Sequence, residues 1–209
     1  MTQGTRFTRG HGLLEPFLAR QRARLANRQI PERLRTGRIL DIGCGSFPYF
    51  LSHTSFREKY AIDQLPPAAP ADSAAPSDIG DIADIAWHTL NLNAAPSLPF
   101  AEGHFSAVTL LAVVEHLDPG SLVQLLKEVH RVLAPAGRVI ITTPAPWSDG
   151  LLHAMARLRL VSAEEIEEHV YVYTHALLGW YFGKADFPME KIRSGYFELG
   201  LNMWATAER

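Results

Sequence analysis

The sequence predicts a doubly wound α/β domain, and three observations predict it. Arg38-Ile39-Leu40-Asp41-Ile42-Gly43-Cys44-Gly45 is an apolar run, with an acid inside it, that ends in two glycines one residue apart. Such a stretch reads as a buried parallel strand entering a tight turn. A second strand, Glu58 to Ile62, closes on Asp63, about 20 residues past the glycines, where such folds hold ribose hydroxyls. Strand and helix patterns then alternate as far as Thr143.

The elements follow in order. Leu14, Phe17, Leu18 and Leu25 stand at helical spacing, so Leu13 to Asn27 is expected as an amphipathic helix that Pro31 ends. Residues 1–38 carry nine arginines against two glutamates, a net charge of +7. This stretch reads either as a helix packed on the domain with a solvated basic face, or as an arm that holds an anionic acceptor. We divide the chain into this arm, residues 1–36, and one domain, residues 37–209. Strand one is Gly37 to Ile42, and a short helix spans Tyr49 to His53. The Pro, Ala, Ser and Asp content of Pro66 to Ser77 predicts a loop. Asp78 to Ile85 is expected as a short helix and Trp87 to Leu92 as strand three.

Phe105 to Val114 is the clearest buried run and gives strand four with its exit. Asp118 is placed to cap a helix with Pro119 at its first position, and Leu122, Leu125, Leu126, Val129 and Leu133 give its buried face. Pro135-Ala136-Gly137 turns the chain into strand five, Arg138 to Thr143. Leu151 to Leu160 reads as helix, Ser162-Ala163-Glu164-Glu165 as a capping box, and Thr174 to Lys184 as a further helix. Met189 to Tyr196 and Leu201 to Thr206 are the closing strands, which makes seven.

Composition sets limits on function. The chain has 209 residues, 47% hydrophobic and 20% charged, with a net charge of -2, so a large nucleic-acid footprint is not expected. Cys44 is its one cysteine, which excludes an internal disulfide and suits a reducing cytoplasm, the expected location. No stretch has the length and apolarity of a membrane span.

With these motifs in order, the sequence resembles the class I methyltransferases that use S-adenosylmethionine. Ile39 to Gly45 is similar to the family's first motif, under the methionine part of the cofactor, and Lys59-Tyr60-Ala61-Ile62-Asp63 to its second. Asn91-Leu92-Asn93 with Leu98-Pro99-Phe100 resembles the adenine-side loop. Phe105 to Leu117 and Leu133 to Pro144 resemble the fourth- and fifth-strand motifs. The resemblance implies a Rossmann-like seven-stranded sheet, mostly parallel with the last strand antiparallel, and helices on both faces. It implies S-adenosylmethionine as cofactor and assigns Asp41, Gly43, Cys44, Gly45, Asp63, Gln64, Asn91, Leu92 and Ala112 to its binding. The acceptor is expected to be a small molecule or a sugar-like or lipid-linked compound. The sequence departs from the family at Phe47, where a glycine is usual, and at Ser106 and Asn91, where acids are usual. Phe47 is expected to narrow the methionine end or shift the turn.

Methyl transfer from a sulfonium needs alignment and a dry site, and a neutral acceptor also needs a base. His116, at the exit of strand four, and His169 are the candidates, because imidazole titrates near neutral pH. Each has a plain alternative: His116 as part of a helix cap, His169 as a surface residue. Tyr171 and Tyr173 are candidates for the acceptor pocket. Some RNA-modifying relatives bind a metal through Glu and His here. With Ala112 in place of their second acid, no metal is expected. Asp63 has another reading, as a cap of the next element, and Cys44 reads as a packed turn residue. Two other functions suit the glycine pair and Asp63: an NAD-dependent oxidoreductase, against which Pro48 stands at the third fingerprint glycine, and a non-catalytic binding protein.

Overall fold

The computed structural model describes residues 14–67, 82–92, 97–148 and 171–209. Seven strands form one sheet: β1 (Arg38–Ile42), β2 (Glu58–Asp63), β3 (Ile85–Thr89), β4 (Phe105–Leu111), β5 (Leu133–Pro144), β6 (Arg193–Phe197) and β7 (Asn202–Glu208). Their order is β3-β2-β1-β4-β5-β7-β6. The first five are parallel, and β7 runs antiparallel between β5 and β6. The expected architecture is therefore the observed one. The strand order reverses between β1 and β4, so their carboxyl ends open a crevice.

Side-chain alternation divides the core. Leu40, Ile42, Val108, Leu110, Val139 and Ile141 pack with α3 (Pro119–Val132) and α4 (His175–Lys184). Ile39, Ala61, Ala107 and Ile140 face the opposite way, toward α1 (Glu15–Gln29) and α2 (Tyr49–Ser52). Helices thus cover both faces. Asp118 caps α3 as its position predicts, its Oδ1 accepting from the amides of Gly120 and Ser121, both at 3.0 Å. Thr174 caps α4 through the Leu177 amide. Among the described residues, no helix is long and apolar enough to cross a membrane.

Several boundaries differ from the expectation. The buried stripe of α1 is Ala19, Ala23 and Ala26, continued by Ile30, while Phe17 is exposed. Alanines let the helix axis lie close to α2 and the sheet, where leucines would hold it off. Ile82 to Asp84 is a turn rather than helix, and β3 starts at Ile85, which pairs with Lys59 of β2. β5 reaches back through the expected turn to Leu133, with a register shift between Phe105 and Ala107. Ala136 takes a φ of 59° within it. Beyond Pro188, Met189–Lys191 winds as a 3-10 turn, so β6 begins only at Arg193. The helix expected at 151–160 and the capping box at 162–165 lie outside the described residues.

Candidate active site

The predicted site residues of β1 and β2 converge at the carboxyl ends of their strands. Gly43 and Gly45 take φ values of 75° and 68°, which few side chains tolerate. The two glycines serve different ends. A methyl group on Gly43 would meet Cγ2 of Val113 at 2.4 Å, so this glycine admits a neighbouring side chain. One on Gly45 would meet nothing within 4 Å, so here the backbone is open for a ligand to approach.

Asp63 is buried and braces this turn. Its Oδ2 accepts from the Gly45 amide at 2.8 Å, and its Oδ1 from the Leu65 amide at 3.0 Å. A carboxylate oxygen carries two lone pairs, the property that suits a diol. The Leu90 amide donates to the Asp63 carbonyl at 2.9 Å, so the chain leaves β3 beside Asp63, with Asn91 and Leu92 next. Gln64 and Asn91 are exposed, and Leu92 is half-buried against the core.

Asp41 lies under the turn, 3% exposed, with the Thr109 hydroxyl donating to its Oδ1 at 2.6 Å. Burial raises its pKa to about 7, the Thr109 bond opposes that rise, and the Asp63 charge adds to it. An unfolded aspartate titrates near 3.8. Between these values the folded chain binds more protons than the unfolded one, so stability from this residue falls as pH rises from about 4 to 7. Asp41→Asn is expected to flatten that decline. Urea unfolding between pH 4 and 8 measures it, and equal slopes in both proteins would refute the assignment. Burial, with the Asp41 and Asp63 charges, pushes the Cys44 thiol well above its usual range. The thiol therefore stays protonated and donates weakly to the Gly45 and Ile62 carbonyls.

The exit of β4 forms the other wall. Ala112 has a φ of 58°, a strained conformation for alanine, fixed because its amide donates to both the carbonyl and the Oγ1 of Thr142. The chain then winds through the 3-10 turn Val114–His116. His116 is half-buried, and its amide donates to the Val113 carbonyl at 3.1 Å. Glu115 is 1% exposed, and among the described residues neither carboxylate oxygen has a hydrogen bond of normal geometry. Burial raises its pKa, tempered by His116, nearby hydroxyl and amide groups, and Arg22 of α1. Tyr171 lies alongside, its amide donating to the Glu115 carbonyl at 3.3 Å, and Tyr173 is buried. His169 lies outside the described residues.

Two of the positions at which the sequence departs from the family, Ser106 and Phe47, have clear places in the structure. Ser106 stands at the amino end of β4, at the opposite rim from the glycine turn, where its hydroxyl is within bonding distance of the Leu34 and Arg38 carbonyls. The side chain there ties the entry of β1. Phe47 is buried, at 7% exposure, and the Gly45 backbone stays open. Sequence reasoning missed the partnership of Thr109 with Asp41, the wedging of Val113 at Gly43, and the unpaired state of Glu115. An aliphatic residue just past a strand end was the only sign of the second.

Comparison with known proteins places this geometry. A family model described as a methyltransferase domain matches residues 13–192. No curated protein matches the chain by sequence. Among solved structures, the chain is similar to one in the complex between the Haloferax volcanii Trm112 methyltransferase activator and a methyltransferase. That likeness has a TM-score of 0.66 and 15% identity, covering 93% of this chain and 91% of that one. A SAM-dependent methyltransferase from Archaeoglobus fulgidus is similar at a TM-score of 0.62 and 17% identity, over 92% of this chain and 94% of its own. An S-adenosylmethionine-dependent methyltransferase from Mesorhizobium loti is similar at 0.59 and 15%, over 95% and 98%.

Proposed function

The chain belongs to the methyltransferase domain family, an S-adenosylmethionine-dependent methyltransferase, and from that premise we propose which residues serve cofactor and acceptor. The acceptor we propose is a small-molecule, sugar-like or lipid-linked compound. Asp63 receives the ribose hydroxyls, with Gln64 beside it. The backbone of Gly43, Cys44 and Gly45 lies along the methionine part, with Asp41 beneath. Asn91 and Leu92 flank the adenine, and Ala112 faces the transferred methyl group. The observation that carries this reading is the open face of Gly45 joined to Asp63 by a 2.8 Å hydrogen bond. A ribose on one and a chain of atoms along the other fit that pair. Burial of Asp41 and the thiol state of Cys44 agree with a turn that binds rather than reacts.

The bound cofactor supplies an electrophilic methyl group on a sulfonium. The chain's part is to orient the acceptor in line with that methyl, to exclude water and to move a proton where the acceptor carries one. His116 is the base we propose within the described residues, and His169 the second candidate. Arginines of the arm serve the acceptor in this reading and leave cofactor affinity alone.

Isothermal titration with S-adenosylmethionine, S-adenosylhomocysteine and NAD tests the premise. The first two are expected to bind and NAD is not. Binding of NAD alone would overturn the assignment.

A further inference from the structure

We propose that the acceptor carries a protonated amino group, and that Glu115 receives it at the rim of the sheet between β4 and β5. The inference rests on the methyltransferase reading and deepens it by naming the chemical class of the acceptor. A buried carboxylate without donors is rare, because lone pairs taken from water must be filled from elsewhere. Glu115 is almost fully buried, and among the described residues neither oxygen has a hydrogen bond of normal geometry, the Thr143 hydroxyl and its own amide being the donors nearby. It sits three residues past Ala112, on the side of the crevice away from Asp63.

A second unfilled acceptor stands on the same rim. Glu198 precedes β7, whose first residue, Asn202, pairs with Pro144 at the carboxyl end of β5. One oxygen of Glu198 accepts from the Asn202 side chain, and the other is buried with no partner among the described residues. The turn that presents it is strained: Glu198 and Leu199 take φ values of 51° and 57°. Strain of this kind persists only where the surroundings impose it.

The charges point to the sign of the ligand. Arg22 of α1 acts on both carboxylates, yet among the described residues it makes no ion pair with either. Both are acids whose charged form burial disfavours, and the one guanidinium near them only partly offsets that. His116 is the other basic group acting on Glu115. A cationic amine favours the ionised carboxylate and supplies up to three donors.

The test is titration of the full chain, with and without saturating S-adenosylhomocysteine. Propylamine, benzylamine and phenethylamine are each compared with the matching alcohol: 1-propanol, benzyl alcohol and 2-phenylethanol. At least one amine is expected to bind about tenfold more tightly than its alcohol, the ratio a charge-assisted hydrogen bond supports. Glu115→Gln should erase that preference while leaving S-adenosylhomocysteine affinity unchanged. Arg22→Gln should strengthen amine binding, because it removes the competing cation. If no amine is preferred, if the preference survives in Glu115→Gln, or if Arg22→Gln weakens amine binding, the proposal fails. Failure of the wild-type chain to bind S-adenosylhomocysteine strikes the methyltransferase reading instead, and the amine comparison made without it still decides the role of Glu115.

Discussion

Asp63→Ala is expected to weaken S-adenosylhomocysteine binding by more than about tenfold, because a charged acceptor for two hydroxyls contributes roughly 1.5–3 kcal/mol per bond. The loss has two sources. One is the acceptor itself. The other is the turn, since the Gly45 and Leu65 amides lose the carboxylate that holds them at 2.8 and 3.0 Å. Asp63→Asn separates the two in part: its amide oxygen can still receive the Gly45 amide, while its NH2 group cannot accept from the Leu65 amide and the charge is gone. Calorimetry gives the affinity and urea unfolding the stability. Undiminished affinity in a folded Asp63→Ala protein would refute the ribose assignment.

Gly43→Ala is expected to lower stability by about 2–4 kcal/mol, from a left-handed backbone unfavourable to alanine plus overpacking. For a domain of this size that is on the order of 5–10 °C in Tm. The overpacking has one named cause, the Val113 methyl that a new Cβ would meet at 2.4 Å. Adding Val113→Ala to Gly43→Ala should therefore recover part of the loss in a thermal melt. No recovery would show that the clash is not the reason. Gly45→Ala provides the contrast. Its methyl meets no protein atom within 4 Å, so its stability loss is the smaller, and its main effect falls on ligand binding.

The parts of this fold legible in the sequence are those fixed by local pattern. An apolar run ending in Gly43-Cys44-Gly45 can hardly be anything but a buried strand and its turn, and Asp118-Pro119 states a helix start in two residues. The parts that were not legible depend on partners distant in the chain. Nothing near Ala19, Ala23 and Ala26 marks them as the buried stripe in preference to Leu14, Phe17, Leu18 and Leu25; the nearness of α2 and the sheet decides it. Ser106 read only as a departure from the acid usual in the family, and nothing local shows that its hydroxyl answers carbonyls 68 and 72 residues earlier. Glu115 stood in view beside His116, but its burial with no hydrogen bond of normal geometry among the described residues is a property of the folded surroundings. A sequence shows which groups can bond and says little of which are left without a partner.

The wedge of Val113 against Gly43 joins the two walls of the crevice. Val113 follows the strained Ala112 directly, so a shift of the β4 exit presses on the β1 turn, and a shift of the turn presses back. Such a contact carries a coupling free energy between whatever occupies the two sides, and linkage makes that coupling symmetric. By whatever factor an acceptor alters affinity for the cofactor, the cofactor alters affinity for the acceptor equally. An ordered sequence of binding in this protein is then a matter of rates, and the equilibrium preference belongs to both ligands alike.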